Sequence, residues 1–200
     1  MTVEGGDEVW TASDAQRHVR LLGLSGSTRQ ASTNTALLRA LQAVAPDRIC
    51  LDVYDRIGSL PVFSPDLEGA ATPPAVQEFV RSVHGCDGLI VSSPEYIRSI
   101  PGGLKNAIDW LVSTHHVIDK PIALVHASHR GDEMLQVLRT VLATMSTNFK
   151  PEIFFRLSLL DQTPDGIAQI VGAPPNRLAA ETFLETFATF CRERAPCKPA

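Results

Sequence analysis

Gly26-Ser27-Thr28-Arg29-Gln30-Ala31-Ser32-Thr33-Asn34 is the stretch that decides the fold, because it joins an apolar run, residues 19–24, to a helical pattern. A buried strand that ends in hydroxyl, guanidinium and amide side chains and then turns into a helix is typical of a phosphate-binding loop. Free backbone N–H groups and the positive end of the helix dipole point at such a loop. Arg29 adds a planar fork of donors, and the serines and threonines add hydroxyl donors. The stretch therefore predicts a phosphate ester as the ligand.

Three other types of loop do not fit this stretch. A nucleoside-triphosphatase loop ends in Gly-Lys-Ser/Thr, and no such lysine is present. A dinucleotide-binding loop needs Gly-x-Gly-x-x-Gly, whereas Gly23 and Gly26 are the only glycines in this turn. The hydrolase elbow Gly-x-Ser-x-Gly fails because Ser27 stands where its second glycine is needed. A serine-rich turn that only caps a helix remains the alternative interpretation.

Size and charge limit the classes of protein that this chain can belong to. Two hundred residues, 44% apolar and 20% charged, fit one domain of ordinary size with a large core. The net charge of −4 and the pI near 5.8 argue against nucleic acid and against an anionic membrane as main partners. No apolar run approaches the roughly 20 residues of a membrane span. We therefore expect no nucleic-acid partner and no membrane partner.

The first residues and the cysteines predict the location and the domain bounds. Glu4, Asp7 and Glu8 stand where a secretory signal would have a basic segment and an apolar core. Without such a signal, the four cysteines are most simply reduced thiols, which predicts a cytoplasmic protein. We expect a disordered leader over residues 1–16, a single domain over 17–193 and a flexible tail over 194–200.

Apolar strands and helical patterns alternate along the chain. Five short apolar strands, each followed by a helix, predict parallel pairing with both faces of the sheet buried. One phosphate loop after the first strand then favours an α/β fold with a doubly wound five-stranded parallel sheet, order 2-1-3-4-5, and helices on both faces. The predicted strands cover residues 19–25, 48–54, 88–93, 121–127 and 152–159, and the predicted helices cover about 32–44, 74–84, 102–114, 131–147 and 176–192.

Two further loops carry residues that suit a ligand site. In this topology the site lies outside the carboxyl ends of strands one and three, where the winding reverses. After strand three, Pro94 fixes the backbone direction and Tyr96 adds a flat ring with a polar tip. After strand four, Arg130 could hold negative charge. His126 and His129 lie three residues apart, which in a strand places them on opposite faces, so we expect no metal site.

Two motifs at these loops resemble the NAD(P)H-dependent FMN reductase family of flavodoxin-like proteins, which contains quinone, azo-dye and chromate reductases. The first loop matches the family's Gly-Ser-x-Arg-x-x-Ser-x-Asn. The stretch from Ser93 to Trp110 matches Pro-Glu-Tyr-Asn and Pro-Gly-x-Leu-Lys-Asn-Ala-Ile-Asp-Trp. The resemblance spans roughly residues 17–147, with the motifs in order and at the expected spacing. It implies a flavodoxin-like fold and makes residues 17–193 one FMN-binding domain.

The resemblance also implies a reaction and roles for single positions. FMN would be the cofactor, NADPH or NADH the hydride donor, and a flavin, quinone or similar small molecule the electron acceptor. The flavin carries the chemistry, so no catalytic side chain is implied, although Arg130 could tune the flavin. Family members commonly complete the open face with a neighbouring subunit, which implies a homodimer or homotetramer. The implied cofactor-binding residues are Ser27, Arg29, Ser32, Thr33 and Asn34 for the phosphate, Pro94, Glu95, Tyr96 and Ile97 beside the ring, and Ser128, His129, Arg130 and Gly131 at its far edge.

Two departures from the family pattern keep other functions open. Ile97 stands where the family usually has Asn, and the loop after strand four keeps only Gly131 of a Gly-x-x-Gly-Gly pattern. They leave a flavin-free regulatory or structural relative as one alternative, and an electron-carrying flavodoxin is a second alternative that does not depend on them. The connection over residues 55–74 is too long for a loop without a role, and we expect it to cover the site or to meet a partner chain.

Overall fold

The chain folds around a five-stranded parallel sheet in the order β2-β1-β3-β4-β5, which confirms the predicted fold class. The computed structural model describes residues 18–114 and 117–194. The strands are β1 (Val19–Ser25), β2 (Ile49–Tyr54), β3 (Gly88–Ser92), β4 (Ile122–His126) and β5 (Phe149–Arg156). The helices are α1 (Thr33–Ala43), α2 (Pro74–His84), α3 (Gly102–Val112), α4 (Asp132–Met145), α5 (Pro164–Gly172) and α6 (Pro174–Arg194).

The predicted chain ends fall almost wholly outside the described residues. The leader predicted over 1–16 lies outside them, and so does the predicted tail apart from Arg194, which is the last residue of α6. The bounds of the single domain, 17 and 193, therefore stay predictions.

The sheet is covered on both faces, which is why its central strands are apolar throughout. Every residue of β3 and β4 is buried, so neither strand alternates between apolar and polar positions. One core includes Leu37 of α1 and Phe187 of α6. The other includes Phe79 of α2 and Leu138 of α4. Since helices occupy both faces, a ligand can reach the sheet only through the loops at the strand ends.

Strand β5 differs from the prediction at both ends. It was expected over residues 152–159 but runs over Phe149–Arg156. As an edge strand it is mostly half-buried, and it begins with residues that include Lys150 and Pro151. Because these two residues are not apolar, hydrophobicity does not mark the start of the strand. The proline is compatible with a strand here because Pro is tolerated at a sheet edge. The N–H groups of Leu157 and Leu159 still donate to backbone carbonyls of β4 and of the loop after it. These two hydrogen bonds lie outside the regular ladder of the sheet.

Helix α5 was not predicted. Thr163 caps it by accepting a hydrogen bond from the Gly166 N–H at 3.1 Å, and Pro164 occupies its first turn. Its nine residues include two glycines, and only Ile167 and Val171 are buried. So short an apolar pattern carries little helical signal. Packing against α1 and α6 stabilises the helix instead, and this packing is invisible in the local sequence.

The long connection over residues 55–74 packs against α3. It contains three short 3-10 helices, Ile57–Ser59, Pro65–Leu67 and Gly69–Ala71. The indole N–H of Trp110 donates to the Pro61 carbonyl at 2.8 Å, and Phe63 meets the Trp110 ring edge-on at 5.0 Å between centroids. Trp110 is thus an ordinary packing residue, 1% exposed.

A tight turn at Tyr96–Ser99 carries backbone strain. Two hydrogen bonds between Tyr96 and Ser99 close it, and its central residues Ile97 and Arg98 have φ angles of 51° and 56°. Asn-Gly is the sequence that such a turn prefers, and a β-branched residue at positive φ is an outlier. The Ile97 side chain is 99% exposed and gains nothing from burial.

Close packing at Gly88 gives a first test of the fold. A Cβ at this position would lie 2.5 Å from Cys191 Sγ and 2.9 Å from Phe187 Cζ. We expect Gly88→Ala to lower the free energy of unfolding by about 1–3 kcal/mol, because a well-packed core resists added atoms. Urea unfolding measures the change. Gly172→Ala is the control, since no atom lies within 4 Å of its Cβ. Equal stability of the two variants would contradict the packing described here.

Replacing the strained turn should stabilise the protein. The double variant Ile97→Asn/Arg98→Gly should raise the free energy of unfolding by about 1 kcal/mol or more, since each strained residue costs about 1–3 kcal/mol. The ion pair of Arg98 with Glu133 is exposed, so its loss costs little. Val62→Asn is the control, because Val62 is 82% exposed but has no positive φ. Thermal and urea unfolding should show no comparable gain for this control.

Candidate functional site

A cavity of about 390 Å³ opens at the carboxyl ends of β1, β3 and β4. The winding of the sheet reverses between β1 and β3, so the cavity lies where the topology predicts a ligand site. Its volume falls within the range of about 300–1,000 Å³ that is usual for small-molecule sites. Its lining comes from residues 27–34, 93–96 and 126–131 and from Leu160 after β5.

Most of the predicted site residues meet at this cavity. Two do not line it: Ile97 points into solvent, and His129 Nδ1 lies 3.0 Å from Ser158 Oγ. The roles of the others in holding a ligand stay predictions. Those that line the cavity are Ser27, Arg29, Ser32, Thr33, Asn34, Pro94, Glu95, Tyr96, Ser128, Arg130 and Gly131.

Four lining residues were not predicted, namely Ser93, His126, Ala127 and Leu160. The first three are the residues at the ends of predicted strands, and extending each loop back by one or two residues would have found them. Leu160 lies beyond β5 and belongs to no motif, so only the tertiary structure places it here. The connection over residues 55–74, expected to cover the site or to meet a partner chain, contributes nothing to the lining.

The first loop presents unsatisfied donors to the cavity. Ser32 caps α1 by accepting from the Thr35 N–H at 3.3 Å, but the N–H groups of Thr33 and Asn34 precede any intrahelical acceptor. The first turn of α1 holds no acidic residue that would neutralise the helix dipole. Within the described ranges no acceptor contacts the exposed Arg29 guanidinium. This end of the cavity therefore suits an anion.

Gly26 allows the first loop to approach β3 closely. Its N–H donates to the Ser92 carbonyl at 2.7 Å, and a Cβ would lie 3.1 Å from that same oxygen and 2.8 Å from Leu104 Cδ2. The buried Ser92 hydroxyl also donates to Asn34 Oδ1 at 2.9 Å. These contacts hold the start of α1 against the end of β3, so the first two loops form one continuous wall.

The other end of the cavity is more apolar. Pro94 is half-buried, Tyr96 is 46% exposed and Leu160 is 39% exposed, so apolar surface borders the opening. Arg130 is exposed there, and its guanidinium contacts no acceptor in the described part of the chain. A flat ligand can therefore lie against apolar side chains with a cation nearby.

His126, the last residue of β4, is a buried titratable group beside the cavity. Its Nε2–H donates to the Arg130 carbonyl at 2.6 Å, which makes Nδ1 the unprotonated nitrogen of the neutral ring. Nδ1 has no hydrogen-bond partner among the described residues. Burial lowers the pKa of His126, and the Arg156 guanidinium lowers it further. The Arg130 carbonyl and the carboxylates of Asp132 and Glu95 raise this pKa, but they do not offset the effect of burial.

Neither a metal centre nor a membrane span is present in the described part of the protein. Residues 18–114 and 117–194 contain no group of three His, Cys, Asp or Glu side chains placed to hold a metal ion. Among the helices of the same residues, none combines the length and the apolar character of a membrane-spanning segment.

The lowered pKa of His126 predicts a pH dependence of stability. In the unfolded chain His126 is protonated as the pH falls through about 6.5, whereas in the native protein its ring is protonated only at lower pH. The unfolded state therefore binds more protons in this range, and acid favours unfolding. The free energy of unfolding should be fully retained above about pH 6.5 and should fall as the pH drops through the lowered native pKa. His126→Gln keeps a donor for the Arg130 carbonyl and cannot titrate, so its loss on acidification should be smaller. Urea unfolding between about pH 5 and 8 measures this.

The exposed His129 provides the matched control for that experiment. His129→Gln should keep the pH dependence of the wild type, because it leaves the buried ring unchanged. If His126→Gln and the wild type lost the same free energy of unfolding on acidification, His126 would not be the group responsible.

Two solved structures with the same fold are flavin-linked oxidoreductases by name. The chain is similar to FerB, a flavoenzyme NAD(P)H:(acceptor) oxidoreductase from Paracoccus denitrificans, with a TM-score of 0.69 and 22% identity over 88% of this chain and 98% of that one. It is also similar to the apo form of an NADH:FMN oxidoreductase, EMOB, with a TM-score of 0.57 and 20% identity over 90% and 92% of the two chains. At this level of identity, the similarity establishes the fold alone.

Sequence comparison is more specific. The chain is 37% identical to an NAD(P)H:quinone oxidoreductase of Solanum tuberosum over 75% of this chain and 80% of that one. It is 35% identical to a probable NADPH:quinone oxidoreductase 2 of Oryza sativa subsp. japonica, over 72% and 75%. Residues 19–159 match the family described as NADPH-dependent FMN reductase. The matched region contains β1 to β5 and all three loops of the cavity, and the chain therefore belongs to the NADPH-dependent FMN reductase family.

Proposed function

We propose that the cavity binds FMN and that the protein is an FMN-dependent oxidoreductase that passes electrons from NAD(P)H to a small acceptor. The observation that carries the proposal is that one cavity combines a helix end that suits an anion with an end bordered by apolar side chains. FMN has the same two parts, a phosphate and a planar ring joined by a flexible chain. The donor set of this cavity therefore fits FMN.

At the phosphate end, the first loop would supply hydroxyl, amide and guanidinium donors. Ser27, Ser32, Thr33 and Asn34 would donate from the start of α1, where the helix dipole also favours negative charge. Arg29 would add two parallel hydrogen bonds to phosphate oxygens. Its guanidinium is free to do so, because no carboxylate occupies it within the described residues.

At the ring end, the second and third loops would orient the flavin. Pro94 and Tyr96 would pack beside the ring, and Ser128, Arg130 and Gly131 would approach its polar edge. Arg130 would stabilise negative charge there, which is how a cation tunes a flavin. Ile97 and His129 do not line the cavity, so we expect no contact between their side chains and the ring.

FMN, when bound, accepts a hydride from NAD(P)H and delivers two electrons to an oxidised acceptor. The protein's own part is to hold the cofactor and to leave one side of it open. The exposed Tyr96 and Leu160 leave an apolar rim at the opening, which suits a flat acceptor. Since two of the relatives are named for quinone reduction, a quinone is the acceptor that we propose.

We also propose a homodimer or homotetramer in a cytoplasmic setting. Ile97 and Leu160 expose apolar surface beside the opening, and a second copy of the chain would cover it. The similarity of the chain to NAD(P)H:quinone oxidoreductases favours the enzyme over an electron-carrying flavodoxin. The two differ in their reaction with NAD(P)H, which the following experiment measures directly.

Anaerobic mixing with NADPH tests the proposed function. The purified protein, saturated with FMN, should be yellow and should lose that colour when NADPH is added. A quinone should then restore it. A protein that binds FMN but reacts only slowly with NADPH and NADH would be a carrier. A colourless protein whose melting temperature ignores added FMN would refute the proposal, because a ligand of the native state must stabilise it.

Arg29→Met should separate recognition of the phosphate from recognition of the ring. Hydrogen bonds to charged groups contribute about 1.5–3 kcal/mol, so the dissociation constant of FMN should rise about 10- to 100-fold. Binding of riboflavin, which lacks the phosphate, should not change. Fluorescence titration measures both. Arg39→Met is the control, since Arg39 is exposed and pairs with Asp55 rather than lining the cavity. Equal weakening of FMN and riboflavin would place the phosphate elsewhere.

A further inference from the structure

Arg156, the last residue of β5, holds the backbone of the loop after β4. Its Nε donates to the Ser128 carbonyl at 2.6 Å, and its Nη2 donates to the Arg130 carbonyl at 3.1 Å. Its Nη1 pairs with Asp132 Oδ1 at 2.8 Å, at the start of α4. One planar guanidinium thus satisfies three acceptors, an arrangement that the single ammonium of a lysine does not reproduce. Arg156 itself does not line the cavity.

These contacts determine where two N–H groups point. No peptide bond in the described residues is cis, and in a trans peptide the C=O and N–H groups point in opposite directions. The Ser128 carbonyl shares its peptide with the His129 N–H, and the Arg130 carbonyl shares its peptide with the Gly131 N–H. Both N–H groups therefore point away from Arg156. Neither has a hydrogen-bond acceptor in the described part of the chain, whereas the Arg130 N–H donates to Ser128 Oγ at 2.9 Å.

Two further contacts make this backbone conformation specific. His126 Nε2–H donates to the same Arg130 carbonyl at 2.6 Å. Gly131 has a φ of 95°, and a Cβ there would lie 3.0 Å from His126 Nε2 and 3.1 Å from Glu95 Oε2. The loop therefore has little freedom to rotate either peptide, and a side chain at position 131 would be strained at this φ and would crowd His126.

We propose that Arg156, assisted by His126, is a positioning residue of the cofactor site. By holding the carbonyls of Ser128 and Arg130, it presents the N–H groups of His129 and Gly131 to the cavity as donors for the electron-rich polar edge of the flavin ring. The inference rests on the proposed function, that the cavity holds FMN. It would also give His129 a role through its backbone N–H, although His129 is not among the residues that line the cavity.

Arg156→Lys tests the role of the guanidinium. The variant keeps the positive charge but loses the planar guanidinium with its several donors, so the dissociation constant of FMN should rise about tenfold or more. The two-electron reduction potential of the bound FMN should become lower, because donors at the polar edge favour the reduced, more negative ring. Arg177→Lys is the control: it changes an exposed arginine that pairs with Glu181 on α6, and both quantities should stay at the wild-type values.

Amide hydrogen exchange of the wild type tests the donors without a substitution. Saturating FMN should slow the exchange of the His129 and Gly131 amides strongly. The Arg130 amide, already bonded to Ser128 Oγ, is the internal reference and should change less. This measurement stays informative if Arg156→Lys proves unstable.

The outcomes separate the two proposals. A wild type that does not bind FMN would refute the proposed function. If the wild type binds FMN, the inference is wrong when the His129 and Gly131 amides exchange at the same rate with and without FMN. It is also wrong when a folded Arg156→Lys variant keeps the wild-type affinity and reduction potential. In either case the proposed function would stand.

Discussion

The reversal of winding between β1 and β3 is the constraint on which the rest of the structure depends. Helices cover both faces of the sheet, so backbone donors and polar side chains can gather only where consecutive strands turn to opposite sides. The hydrogen bonds of Ser92 to Gly26 and to Asn34 then fix the start of α1 against the end of β3. Without these hydrogen bonds, the start of α1 and the apolar side of the cavity would be separate surfaces.

Hydrogen bonds to the backbone, more than apolar burial, determine the conformation of the cavity loops. Ser32 caps α1, Arg156 holds the third loop, and two backbone bonds close the turn at Tyr96–Ser99. Buried polar groups must find partners, so the donors that remain unpaired at the cavity stand out. The exposed Ile97 at positive φ shows that this region also tolerates strain, as functional regions of proteins often do.

Agreement between prediction and structure followed the strength of the local signal. Strands β1, β3 and β4 were predicted to within about one residue because continuous apolar runs mark a strand buried on both faces. Helix α2 was predicted at its observed bounds. Edge strand β5 was displaced by three residues, since half of its surface is open and polar residues are permitted there. Helix α5 escaped prediction because two buried residues form no recognisable pattern.

The sequence by itself determined the alternation of five strands with helices, the sheet topology and the family, and it predicted an anion-binding loop, because each depends on residues that are neighbours along the chain. Eleven of the thirteen expected site residues line one cavity, and their roles in holding a cofactor stay predictions. Only the tertiary structure decided that Leu160 lines the cavity, that Ile97 and His129 do not, and that Arg156 anchors the third loop. Those contacts join segments that are about 30 residues apart, and the direction of a side chain or a peptide is fixed only when such segments pack.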